Sequence, residues 1–137
     1  MGNVTTTLRI SSADVLSTSV DINVLANLNA DSGTLSRAKV VKTAVDANAL
    51  EVYTVNDKSE SAYLYLRNLD LEKENYVYVY NDTDSDGLVA KVGGSEFCFI
   101  PVAVNKGYRV YGTRVDSMIE FAVFGLDSSA AGPFNQS

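Results

Sequence analysis

The strongest constraint on this chain is a period of two. Apolar side chains recur at alternate positions in short runs, the mark of half-buried β-strands. VDINV at 20–24 puts Val20, Ile22 and Val24 on one face. KVVKTAV at 39–45, LEVYTV at 50–55, AYLYLR at 62–67 and YVYVY at 76–80 continue the pattern. LVAKV at 88–92, EFCFIPV at 96–102, YRVYG at 108–112 and MIEFAVFG at 118–125 complete it. The separators NLDLEKEN, NDTDSDG, GGS, NKG and RVDS are rich in Gly, Asn and Asp, which supply positive φ or cap turns with their own side chains. Residues 11–17 and 25–38 have room for a helical turn, but neither sustains a 3.6-residue period. Without strand–helix alternation, a parallel α/β sheet is not expected. The expectation is all-β: an antiparallel β-sandwich, jelly-roll-like, with about eight short strands.

The boundaries follow composition. Residues 1–19 are Ser- and Thr-rich and read as an extended N-terminal arm, residues 20–126 as the sandwich, and residues 127–137 as a loose tail. At 137 residues one domain is expected. No apolar run approaches the length of a membrane-spanning helix. The start, MGNVTTTLRI, lacks a charged n-region and apolar h-region, so synthesis without export is expected.

Charge and chemistry narrow the function. The net charge is −6, and the 11 Lys and Arg residues form no basic patch, which argues against nucleic-acid binding. There is no histidine. That removes Ser–His and Cys–His nucleophiles and His-ligated metal centres. The one cysteine, Cys98, sits in an apolar run and reads as a small core residue. Neither a dinucleotide fingerprint, a phosphate-binding loop nor a nucleophile elbow is present. Gly93-Gly94-Ser95 reads as a turn, because no helix follows it to bind phosphate. No catalytic residue and no enzymatic activity are expected.

Two features remain as candidate sites. NDTDSDG places Asp82, Asp84, Asp86 and Gly87 at the first positions of a calcium loop. The bidentate twelfth position is Gly93 rather than Glu, Glu96 falls three residues late, and the flanks are strands. A solvated hairpin tip is the expectation, with no metal and no other cofactor; calcium at Asp82, Asp84 and Asp86 is the runner-up. An exposed tip also raises no carboxyl pKa for glycosidase acid–base work.

The second feature is a tyrosine ladder. Tyr63 and Tyr65 share one face of their strand, and Tyr76, Tyr78 and Tyr80 share one face of the next. If 68–75 closes a hairpin, Arg67 falls opposite Tyr76, Tyr65 opposite Tyr78 and Tyr63 opposite Tyr80. Leu64 and Leu66 then meet Val79 and Val77 on the core face. The ladder Tyr63, Tyr65, Tyr76, Tyr78 and Tyr80, with Arg67, is the candidate interface, since tyrosines suit amphipathic contacts. Stacking against sugars is a second use of the same rings.

AYLYLRNLD, YVYVYND, GGSEFCFIPV, GYRVYG and IEFAVFG together resemble small β-sheet virion proteins of tailed bacteriophages, over about residues 60–125. The resemblance implies a non-enzymatic particle component, a capsid decoration or cement protein. It further implies a homotrimer bound to the major capsid protein, an outer-capsid location, assembly in the host cytoplasm, and residues 2–19 reaching a neighbour. A tail, head-vertex or fibre-base protein is the nearest alternative, and a calcium-assisted carbohydrate-binding module the next.

Overall fold

The computed structural model describes residues 2–14, 19–30, 32–40, 49–53, 59–81, 87–102, 107–112 and 116–127. Those residues form ten strands. β1 (Gly2–Ser12) and β2 (Val20–Ala30) make a two-stranded hairpin. β3 (Ser32–Val40), β10 (Ser117–Asp127), β5 (Ser59–Asn68) and β8 (Phe97–Val102) form one antiparallel sheet in that order. β4 (Leu50–Tyr53), β9 (Tyr108–Gly112), β6 (Val77–Asn81) and β7 (Leu88–Val92) form the other. Within the sandwich, the first, eighth, third and sixth strands in chain order make one layer, and the second, seventh, fourth and fifth make the other. That is the jelly-roll order, so the all-β sandwich expected from the alternation is the fold.

The core lies where the inward faces of the two sheets meet. Leu64, Leu66 and Ile119 from one sheet and Val77, Val79 and Val110 from the other are fully buried. Each such side chain contributes about 1.5–3 kcal/mol of hydrophobic stabilisation. The β5–β10 register sets Leu64 opposite Val123 and Leu66 opposite Phe121. Tyr63, Tyr65 and Arg67 consequently point outward, opposite Phe124, Ala122 and Glu120.

The tyrosine hairpin expected between 62–67 and 76–80 does not form. β5 pairs with β10 and β8, whereas β6 pairs with β7 and β9 in the opposite layer. Alternation is satisfied equally by strands side by side and by strands stacked face to face, because Leu64 and Leu66 need only meet Val77 and Val79. The crossing between layers is built around Asn68, which is fully buried. Its Nδ2 donates to the carbonyls of Asn75 (2.8 Å) and Val92 (3.1 Å), and its Oδ1 accepts from the Asp70 amide (3.0 Å). Its backbone pairs with Glu96 and Ser95. The chain leaving β5 is thereby turned under the β7–β8 turn rather than back alongside β5.

That turn confirms the reading of Gly93-Gly94-Ser95. A Cβ at Gly94 would collide with the backbone of Glu72, and Ser95 takes a positive φ of 68°. Glu96 Oε1 accepts from the Gly93 amide at 2.7 Å.

The N-terminal residues read as a lone arm are half of the β1–β2 hairpin, in register from Gly2 opposite Ala30 to Ser12 opposite Val20. Residues 25–38, read as having room for a helical turn, carry instead the end of β2 and most of β3.

Candidate functional site

The hairpin has two unlike faces. Val4, Leu8 and Ile10 share one with Val20, Ile22, Val24 and Leu28, through the pairs Val4–Leu28, Leu8–Val24 and Ile10–Ile22. The other carries Asn3, Thr5, Thr7, Arg9, Asp21, Asn23 and Asn27, with Leu25 its one large apolar member. Arg9 and Asp21 form an ion pair there at 3.5 Å, both well exposed. Thr5 donates to Asn27 across the strands at 3.0 Å.

The apolar face lies toward the outer face of the β3–β10–β5–β8 sheet. Val4 and Thr6 line a cleft with Leu35, Tyr65 and Phe124, above β3, β10 and β5. Leu8 and Val24 line a second with Tyr65, Phe97 and Phe99, toward the β8 edge. The hairpin thus crosses the sheet from β3 toward β8. That cover is only partial: Leu8 is 42% exposed and Val24 48%, as are Ile10 (46%) and Ile22 (44%), which line neither cleft.

The sheet beneath is aromatic. Tyr63 stacks on Phe99, with centroids 6.0 Å apart and planes 4° from parallel. Tyr65 Oη donates to Glu120 Oε1 at 3.1 Å. Glu120 Oε2 accepts from Arg37 Nε and Nη2, both at 3.2 Å, so β5, β10 and β3 are tied by one polar chain. Burial, and then the Glu120 carboxylate, raise the pKa of Tyr65 above the ordinary tyrosine value. Arg67 is exposed, opposite Glu120 and Phe97. Phe97 is also exposed.

The ladder residues are therefore divided between opposite faces. Tyr63, Tyr65 and Arg67 lie on the sheet crossed by the hairpin. Tyr78 and Tyr80 each meet Tyr111 edge-on on the other sheet, with centroids 5.5 Å apart in both pairs. Tyr80 is almost wholly buried. Lys91 Nζ sits 4.0 Å above the Tyr76 ring. The calcium runner-up, Asp82, Asp84 and Asp86, lies outside the described residues. Among those described, no three acidic or cysteine side chains gather as a metal site. Burial raises the Cys98 thiol pKa, which disfavours thiolate.

Leu8 and Ile10 were not singled out from the sequence, and Ile22 and Val24 were read only as one face of a strand; nor were Phe97, Phe99 and Glu120 read as parts of a surface. The signal for the hairpin is present. Val4, Leu8 and Ile10 fall on the same period of two as Val20, Ile22 and Val24, but Thr6 interrupts it and Thr5, Thr7 and Arg9 lower the local hydrophobicity.

Fold and site together define a jelly-roll sandwich with an amphipathic hairpin attached. No family model matches the chain, and no curated protein does. A solved chain of Bacillus endospore appendages, described as a family of disulfide-linked pili, matches at 14% identity with a TM-score of 0.42, covering 73% of this chain and 96% of that one.

The match is to an appendage chain, not to a phage particle, and it overturns the expected resemblance to virion proteins. The segments that carried that resemblance are β5, β6, β8, β9 and β10, whose alternation any two-layer sandwich requires. With it fall the decoration or cement role, the tail, head-vertex and fibre-base alternative, the major capsid protein as partner, the capsid-bound homotrimer and the outer-capsid location. The carbohydrate-module alternative falls too.

Proposed function

We propose that this protein is a non-enzymatic structural subunit that polymerises with copies of itself, using the β1–β2 hairpin as its connector. The carrying observation is the half-exposed apolar face of Leu8, Ile10, Ile22 and Val24. Strands of 11 residues are about 36 Å long, while a four-stranded sheet is only about 15 Å wide. The sheet under the hairpin is too narrow to cover it. A two-stranded hairpin is marginal in water without a packing partner, and contiguous exposed apolar surface marks an interaction site. The absence of histidine supports a structural rather than a catalytic role. Tyr63, Tyr65 and Arg67 belong to this contact surface in the same reading.

Sedimentation velocity and negative-stain microscopy of the full chain test the proposal. The unmodified protein is expected to form concentration-dependent polymers. A variant carrying Ile10→Lys and Ile22→Lys should remain monomeric, with the same near-ultraviolet tyrosine dichroism. An unmodified chain that stays monomeric at every concentration rejects it.

A further inference from the structure

The hairpin is not closed down on the sheet it crosses. Clefts of about 570 Å³ and 630 Å³ lie between the two. Both are open to solvent and lined mainly by apolar and aromatic side chains, surface that close packing would remove from water. The reason lies in the chain path. β2 ends at Ala30 and β3 begins at Ser32, so residue 31 alone links the hairpin to the sheet it covers. Ala30 is held in the hairpin opposite Gly2 and Ser32 in the sheet opposite Gly125, so both ends of this junction are fixed by strand pairing and the hairpin has little freedom to settle on its own sheet, although the two surfaces are chemically complementary.

We infer that the outer face of the β3–β10–β5–β8 sheet, floored by Leu35, Tyr65, Phe97, Phe99 and Phe124, is the acceptor for the β1–β2 hairpin of a second copy. The inference rests on the self-assembly proposed above and adds the receiving surface. A hairpin supplied by a neighbour is not held by the Ala30–Ser32 junction of the sheet it meets and can close the clefts. It brings the face already apposed within one chain, Val4, Leu8 and Val24, and also buries Ile10 and Ile22. Its polar back, with Arg9 and Asp21, remains in water. Exchange of an identical element is a low-cost route to association. Donor and acceptor are different surfaces, so each contact is heterologous and the chain of contacts extends as a filament unless its rotation closes a ring.

The test uses two full-length single-cysteine proteins, both carrying Cys98→Ser. One has Val24→Cys. The other has Phe97→Cys and an affinity tag that changes its size. They are mixed, allowed to assemble, oxidised with copper–phenanthroline and separated without reductant. The mixed dimer is expected in several-fold excess over either like–like dimer. A second pair, Val4→Cys with Leu35→Cys, reports on the other cleft and guards against a local effect of either substitution. If the proteins co-sediment as polymers but neither pair yields excess mixed dimer, exchange is overturned and self-assembly stands. If the unmodified protein does not polymerise, both readings fail.

Discussion

Asn68 shows how much one side chain decides here. It is the largest fully buried polar residue among those described, and its amide is satisfied by two carbonyls and one backbone N–H. Asn68→Ala removes those partners and leaves buried carbonyls without donors, at a cost of about 2–3 kcal/mol, read from the urea midpoint. Asp70 belongs to the same crossing. The Glu72 amide, then Asn75 and Ser117, donate to its carboxylate and lower its pKa. A carboxylate depressed in the folded state stabilises above its ordinary pKa of about 4, and that contribution is lost as pH falls through the folded value. The unmodified protein should therefore be more stable than Asp70→Asn at neutral pH. The gap should close below about pH 4, as followed by thermal denaturation across pH.

At the scale of elements, the informative pair is β5 and β6. Their alternation tells which residues face the core: Leu64, Leu66, Val77 and Val79 are all fully buried. It does not tell which strand lies beside which. Double-mutant cycles separate the two arrangements. Tyr63 and Phe99, stacked across β5 and β8, should couple by about 0.5–1.5 kcal/mol. Tyr65 and Tyr78, in opposite layers, should be additive to within about 0.5 kcal/mol. A hairpin between β5 and β6 would reverse that ranking. The β1–β2 hairpin carries the same lesson. Its period of two is legible in Val4, Leu8 and Ile10, but the partial cover of its apolar face is known only once the sheet beneath it is known.

For the whole molecule, charge opposes the association that the hairpin promotes. A net charge of −6 makes copies repel at low ionic strength. Salt shortens the Debye length from about 30 Å at 0.01 M to about 8 Å at 0.15 M. Polymerisation driven by the apolar face should therefore strengthen between those conditions, as measured by light scattering at fixed protein concentration. A contact built mainly on ion pairs such as Arg9–Asp21 would weaken instead.

The sequence by itself determined the all-β class, the inward faces of the main strands and, through the absence of histidine, the loss of His-dependent chemistry. These are local properties: a period of two is written in neighbouring residues, and so is a missing side chain. Only the tertiary structure decided that β5 and β6 lie in opposite layers, that the tyrosines divide between two surfaces, and that the N-terminal residues pair into a hairpin whose apolar face its sheet covers only in part. Strand neighbours are chosen by long-range packing and by the buried turn at Asn68. An apolar face looks the same in sequence whether its partner lies beside it, across the core, or on another copy of the chain.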